Sequence, residues 1–273
     1  MIVATYNLWN DERTLSGRLA ALCEEIGSVH ADVIALQEAA ASTPGHPSKP
    51  IAAYIAEQTG YPYVAFRAYP DPEDVGEGLA ILSKHPFELE TAIWDNRSNP
   101  SVYCAHRAIV HAESMRVAVT NVHLDWRCVK NREDQMCAVL DWINELAVVN
   151  TVELLCGDFN DVPDSSIHRF LQGRQSLNGR AAKWLDLAEY EQWRTGLKAE
   201  ATLDFARNPR WNGLHTLQIP ARVDWIMLRQ EPQHRDPEPV VGSVRLFGTT
   251  PTPIAKKVPS DHYGVVAELI FSS

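Results

Sequence analysis

The sequence predicts an α+β sandwich folded as one domain over residues 1–273. Three observations predict it. Strand-like runs follow one another through the middle of the chain, between residues 63 and 123. Amphipathic helical stretches are inserted early and again after residue 130, so the order is mixed rather than a repeated β-α unit. Polar residues suited to chemistry stand at the ends of apolar runs in both halves, and a cut into two domains would divide the site they form.

Ile2–Leu8 reads as the first strand. From residue 14 to 29, Leu15, Leu19, Leu22, Cys23 and Ile26 recur with helical spacing. Asp32–Gln37 is a short apolar run of the kind that forms a buried strand, and residues 39–50, rich in Ala, Ser, Pro and Gly, read as a loop. Ile51–Thr59 is helical, with Gly60 as its stop. Strands are expected at Tyr63–Ala68, Leu79–Leu82, Phe87–Trp94, Val102–His111 and Met115–His123, with a turn at Ser83–Pro86. Met136, Val139, Leu140, Ile143 and Leu146 mark one face of a helix over residues 131–149. Val152–Cys156 is a strand ending at Gly157, and Pro163–Leu171 a short helix. Residues 173–221 carry many Trp, Arg and Asn and read as irregular. Val223–Leu228, Val240–Phe247 and Val265–Ile270 close the chain as strands.

Apolar residues make up 45% of the chain, enough for a sizeable core, and 22% charged residues argue against global disorder. The net charge of −10 argues against bulk non-specific nucleic-acid binding, because phosphate backbones need compensating Lys and Arg. A local basic rim, or a metal that supplies the positive charge, is compatible with it. Cys23, Cys104, Cys128, Cys137 and Cys156 form no C-x-x-C pair and are odd in number. That argues against a disulfide framework or zinc knuckle and fits thiols in a reducing compartment. With a strand starting at Ile2 there is no room for a signal peptide, and no run is long enough to span a membrane. A cytoplasmic protein is expected.

Six segments carry the candidate chemistry: Tyr6-Asn7, Leu36-Gln37-Glu38, Asn121-Val122-His123-Leu124, Gly157-Asp158-Phe159-Asn160-Asp161, Arg222-Val223-Asp224-Trp225 and Ser260-Asp261-His262. Charged groups beside buried strands are costly unless something uses them. Glu38, at a strand end, can hold Mg²⁺ together with water and substrate oxygens, because Mg²⁺ keeps much of its hydration shell. Asp158 and Asn160 are two apart, so in an extended segment they face one cavity, with Phe159 anchored behind them. Asp suits activating a water and Asn suits holding a phosphate oxygen. Asp161-Val162-Pro163 reads as a helix start with Asp161 as its cap. Asp224 stands inside an apolar run and needs a partner. A histidine would be held in one tautomer and kept protonated by it; Arg222 is the alternative.

Taken together and in order, YN, LQE, GLAILSK, NVHL, GDFND, RVDWI and SDH resemble the endonuclease/exonuclease/phosphatase superfamily of Mg²⁺-dependent phosphoesterases. The resemblance covers residues 2 to 270. It implies a DNase I-like, four-layered α/β sandwich, with two packed mixed β-sheets flanked by helices. It makes Glu38 the principal metal ligand, with Asn7 beside it and Asp261 near the metal. Asp158 would orient or deprotonate the attacking water, Asn160 contact the phosphate, and His262, oriented by Asp224, contact the scissile phosphate. His123 matches a second histidine of the DNase I-like and sphingomyelinase-like branches, and Arg107 lies where many members carry an arginine near the substrate. Two departures count against the abasic-site endonucleases: Trp9 replaces an aspartate, and His123 replaces a tyrosine. The segment from Thr202 to Arg222 is loosely similar to tyrosyl-DNA phosphodiesterases.

The expected reaction is in-line attack of water on a phosphodiester or phosphomonoester, with Mg²⁺, or Mn²⁺ in its place, as cofactor. Small phosphodiesters, phospholipid headgroups, sugar phosphates and nucleic-acid ends are the candidate substrates; a nuclease or DNA-end-processing enzyme is the narrower alternative. Trp9, Trp94, Trp126, Arg127, Arg207, Arg210 and Trp211 are candidates to line the mouth. A catalytically silent binding module would show losses at Glu38, Asp158 or His262, and none is seen. A histidine-rich amidohydrolase would need H-x-H or H-E-x-x-H, which the chain lacks.

Overall fold

Met115–His123 alternates Val117, Val119 and Asn121 with Ala118, Thr120 and Val122, and all six are fully buried. A strand buried on both faces belongs in the middle of a layered structure, covered on either side. The computed structural model, which describes residues 1–69, 76–93, 105–112, 115–211, 218–230 and 239–271, has that arrangement. In chain order the elements are β1 (Ile2–Asn7), α1 (Glu12–Val29), β2 (Val33–Ala40), α2 (Ile51–Thr59), β3 (Tyr63–Ala68), β4 (Glu77–Ser83), β5 (Phe87–Ile93), β6 (Ala105–Ala112), β7 (Met115–His123), α3 (Val129–Glu145), β8 (Thr151–Asp158), α4 (Ser166–Leu171), β9 (Trp184–Asp186), α5 (Leu187–Thr195), β10 (Asp224–Arg229), β11 (Val240–Phe247) and β12 (Gly264–Ile270).

The strands form two six-stranded mixed sheets, β11-β12-β1-β2-β4-β3 and β5-β6-β7-β8-β10-β9. At the centre of each lies one parallel pair, β1 with β2 and β7 with β8, joined by a helical crossover through α1 and α3 respectively. Three apolar clusters define four layers. Leu15, Leu22, Ile26 and Ile55 from the first two helices pack on Ala4, Ile34 and Leu82. Val3, Val33, Ala35, Val117, Val119, Leu154 and Ile226 meet between the sheets. Met136, Val139, Ile143 and Phe170 cover Val122, Leu155 and Met227 on the far side. Each fully buried side chain of this size contributes roughly 1.5–3 kcal/mol. The expected layers are therefore present.

Several boundaries differ from expectation. The second strand runs on through Ala40, into the segment read as loop. The short helix starts at Ser166 rather than Pro163, with Ser165 as its cap: the Ser165 side chain accepts from the His168 N–H. Asp161 is occupied elsewhere, by Arg132 Nε at 3.0 Å and the Val162 N–H. Within the stretch read as irregular, β9 and α5 form; the Asp186 side chain caps α5 by accepting from the Ala188 and Glu189 N–H groups. Trp94, Cys104 and the start of the strand expected at Val102 lie outside the described residues. The other four cysteines are free, Cys137 and Cys156 among them buried. Among the described residues no helix is long and apolar enough to cross a membrane.

Candidate active site

Register brings the candidate residues into rows. In one sheet His123 pairs with Asp158, and Asp158 with Asp224, across three neighbouring strands. In the facing sheet Asn7 pairs with Gln37. Both parallel pairs end on this side, and the C-terminal edge of parallel strands is where open α/β sheets bind ligands. Beneath the rows the sheets are stitched together: Gln37 Nε2 donates to Asn121 Oδ1 at 2.6 Å, and Asn121 Nδ2 donates to the Leu36 and Ala80 carbonyls.

Strict alternation would turn Glu38 away from this gap. A β-bulge between Leu36 and Ala39, with Glu38 at φ 50°, redirects it. Such a conformation costs a non-glycine residue roughly 1–3 kcal/mol, and strain of that kind gathers at functional sites. Glu38 accepts from Asn7 Nδ2 at 3.0 Å and from the Asn10 N–H at 3.0 Å. Asn7 Nδ2 also reaches Asp158 Oδ2 at 3.0 Å, while its amide oxygen takes the Trp9 N–H. Asn7 is thus a strut between two carboxylates, beside the expected metal ligand Glu38, with its amide oxygen accepting from the Trp9 N–H. Asp261 is 6% exposed, and burial, with Glu38 adding repulsion against the pull of His262, pushes its carboxyl up to about 6. Two carboxylates that disfavour each other's charge in a buried gap fit a hard divalent cation.

Asp158 is 1% exposed. Burial and the neighbouring Asp224 raise its pKa, against His262 and His123. His262 Nε2 lies 4.0 Å and His123 Nε2 3.7 Å from Asp158 Oδ2. Each imidazole is held from behind at Nδ1. Asp224 Oδ2 is 3.0 Å from His262 Nδ1. Burial opposes the charge on that ring, but Asp224, assisted by Asp261 and Asp158, holds its pKa well above the usual histidine value. On the other side the Tyr69 hydroxyl is 2.9 Å from His123 Nδ1, and the carboxylate facing Nε2 favours the proton there. Arg222, the alternative partner of Asp224, pairs with Asp186 instead, at 2.8 Å. Tyr69 escaped the sequence reading because an uncharged tyrosine after a strand carries no signal. Thr202 escaped it too: its hydroxyl accepts from the Val223 and Asp224 N–H groups and so sets where Asp224 stands.

Asn160 reaches the site by a turn rather than by strand alternation. It has φ 49°, and its N–H donates to Asp158 Oδ1 at 2.8 Å. Its amide nitrogen donates to the Leu124 carbonyl. Gly157 is required by close approach of strands: a Cβ there would lie 2.0 Å from the Val122 carbonyl oxygen. Phe159 is buried and stacks on Trp225 at 4.3 Å. Asp158, Asp224 and His262 could also gather around a metal, but the imidazole is already tied to Asp224 and presents a proton toward Asp158, which suits an anion. His168, Asp186 and Glu189 form a second such group; Arg222 already supplies its positive charge.

Arg107 is not at the site. Residues 108 and 110 of its strand face the other sheet, so Arg107 points to the opposite, helix-covered side. There it is fully buried and binds Glu153 through two hydrogen bonds of 2.7 and 2.8 Å. This corrects its expected place near the substrate. The Trp9 ring is covered by the guanidinium groups of Arg18 at 4.8 Å and Arg210 at 5.6 Å. Trp126 is 60% exposed, with Arg127 5.0 Å over its ring, two residues beyond the Leu124 that holds Asn160.

The model of the endonuclease/exonuclease/phosphatase family matches residues 4–262. No curated protein matches the chain in sequence. Among solved structures, truncated TDP2 of Caenorhabditis elegans is similar at 18% identity and TM-score 0.73, covering 98% of this chain and 97% of that one. TDP2 of D. rerio complexed with a single-strand DNA product is similar at 20% identity and TM-score 0.74, with the same coverage. An endonuclease/exonuclease/phosphatase family protein of Leptotrichia buccalis is similar at 16% identity and TM-score 0.70, covering 99% of this chain and all of that one. At these identities the structural likeness carries the fold, and the match along nearly the whole sequence carries the family. The chain belongs to the endonuclease/exonuclease/phosphatase family.

Proposed function

We propose that this protein is a divalent-metal-dependent phosphoesterase that hydrolyses a phosphodiester by in-line attack of water. The observation that carries the reading is the pair of buried imidazoles, each tied at Nδ1, whose Nε2 atoms flank Asp158 at 3.7 and 4.0 Å. Glu38 and Asp261 would hold Mg²⁺ or Mn²⁺, which when bound supplies charge to a non-bridging oxygen and to the leaving alkoxide. Asp158 aligns the water and takes its proton; burial and Asp224 raise its proton affinity and so suit it to that task. His262 as an imidazolium, and His123 through Nε2, hold phosphoryl oxygens as charge builds. Asn7 and Asn160 fix the two oxygens of Asp158.

The structural likeness to a TDP2 complexed with a single-strand DNA product, and the exposed Trp126–Arg127 pair, favour a nucleic-acid end over a phospholipid headgroup or sugar phosphate. The test is turnover of bis-p-nitrophenyl phosphate beside p-nitrophenyl phosphate with Mg²⁺, with EDTA and Asp158→Asn as controls. Diester cleavage that vanishes with EDTA and falls roughly 10²–10³-fold in the variant is expected. Cleavage of the monoester alone would make the protein a phosphatase. Diester turnover retained in Asp158→Asn would overturn the assignment.

A further inference from the structure

In a chain of net charge −10, one cavity is strongly basic. It measures about 510 Å³ and is lined by Arg13, Thr14, Arg18, Arg210, Lys256 and Lys257. Arg13 pairs with Asp11 at 3.1 Å, and Glu24 stands behind Lys256, where it accepts the Ile254 and Ala255 N–H groups. Arg18, Arg210, Lys256 and Lys257 make no ion pair among the described residues. Arg18 is 1% exposed, its guanidinium used up on the Leu8, Trp9 and Pro259 carbonyls and on Thr14. Burial, and then the facing Arg210, push its pKa down to about 10. Arg210 lines the cavity and holds the Val258 carbonyl through Nε and Nη2. Lys257 Nζ lies close over Gly17, 3.1 Å from where a Cβ would be. Like charges are thus held together by packing, with Asp11, Glu24 and Asp261 as the nearby carboxylates that partly offset them.

Arg18 links the cavity to the segments that carry the candidate active site. Trp9 and Pro259, whose carbonyls Arg18 holds, stand two residues from Asn7 and from Asp261. Two residues of chain span at most about 7 Å. Arg18 and Arg210, which line the cavity, also act electrostatically on Asp261 of the site, so the two places are neighbours in the fold.

We infer that this cavity is a binding subsite for a second phosphate group of the substrate, next to the one that is cleaved. The inference rests on the phosphoesterase reading and narrows it to substrates with at least two phosphates: a nucleic-acid strand or a small diester that carries a second phosphate. Arg18 supplies fixed charge, and Arg210, Lys256 and Lys257 supply the donors.

The test separates binding from catalysis. Pyrophosphate is titrated by calorimetry in EDTA into the parent protein, Asp158→Asn and Lys256→Glu/Lys257→Glu. Saturable, salt-sensitive binding that survives Asp158→Asn and weakens at least about 10-fold on charge reversal is expected. Absent binding, or binding untouched by charge reversal, overturns the inference whether or not the protein hydrolyses bis-p-nitrophenyl phosphate. Conversely, pyrophosphate binding without any diester turnover retains the subsite and defeats the phosphoesterase reading. In the active protein, charge reversal leaves kcat/KM for bis-p-nitrophenyl phosphate unchanged. A raised KM for tetrathymidylate identifies a strand as the substrate, and a raised KM for thymidine 3′-(p-nitrophenyl phosphate) 5′-phosphate alone identifies a small diester with a second phosphate; unchanged KM for both again overturns the inference.

Discussion

Replacing Glu153 by Gln tests the placement of Arg107 on the helix-covered side of its sheet. Arg107 and Glu153 have side-chain exposures of 0% and 2%. The guanidinium donates to Glu153 Oε2 at 2.7 Å, to Glu153 Oε1 at 2.8 Å and to Thr120 Oγ1 at 3.0 Å. Its Nε is buried without a partner among the described residues. Gln keeps one acceptor but removes the counter-charge, so a buried cation is left with Thr120 and a neutral carbonyl. Breaking one side of such a pair costs about 3–5 kcal/mol, a large share of the roughly 5–15 kcal/mol that holds a domain together. Replacing both partners by apolar residues removes the uncompensated charge. Arg107→Met/Glu153→Leu is therefore expected to recover most of the loss, to within about 2 kcal/mol of the parent. Urea unfolding followed by tryptophan fluorescence reads both values. Turnover of bis-p-nitrophenyl phosphate by the double variant is expected within threefold of the parent. A single-variant cost below about 1 kcal/mol would show that the pair is solvated. A folded double variant with turnover down 100-fold would show that Arg107 does act on the substrate.

Three further outcomes are expected. Tyr69→Phe removes one hydrogen bond, about 1 kcal/mol, and with it the contact that holds the His123 ring at Nδ1; kcat should fall roughly 5- to 10-fold with KM little changed, and a change confined to KM would count against the orienting role. Gly157→Ala sets a Cβ against the Val122 carbonyl at a φ of 138°, and should shift the thermal midpoint down by several degrees or leave the protein insoluble; unchanged melting would mean that the strands have room to part. The hydrogen bond from His106, and then the Arg67 guanidinium, outweigh burial and hold Glu90 down to about 2. A depressed carboxyl stabilises the fold above its unfolded value near 4.5 and loses that contribution as pH falls toward 2; screening by solvent at this half-exposed pair holds it to about 1 kcal/mol, which should fade across that interval and be missing in Glu90→Gln, and equal acid sensitivity in both proteins would refute it.

Where a segment's own pattern decides its conformation, sequence and structure agree. Ile51–Thr59, Tyr63–Ala68, Met115–His123 and Val240–Phe247 have the limits that period and punctuation indicate. Leu187–Thr195 shows the opposite case. It buries only Leu187, so no apolar stripe announces a helix; the signal available was punctuation, with Asp186 three residues before Glu189 at one end and Gly196 in the left-handed conformation at the other. Asp161 and Ser165 are both acceptable caps by residue type, and Arg132, from a distant helix, takes the first.

The sequence by itself determined the four-layered class, the family and the identity of most polar residues that meet at the strand ends, because each is written in local period or in an ordered set of short motifs. Only the tertiary structure decided which of them face the same gap. That depends on strand parity, which sends Arg107 to the helix-covered side, and on a bulge, which turns Glu38 toward the gap. It depends on partners far away in the chain: Tyr69 behind His123, Thr202 behind Asp224, Asn7 between Glu38 and Asp158. The basic cavity is the furthest from local pattern. Arg13 and Lys257 lie some 240 residues apart and become neighbours only because β12 pairs with β1 and brings the segment before it against the first helix. Charge repulsion at such a place is a property of the folded arrangement, and no window of sequence contains it.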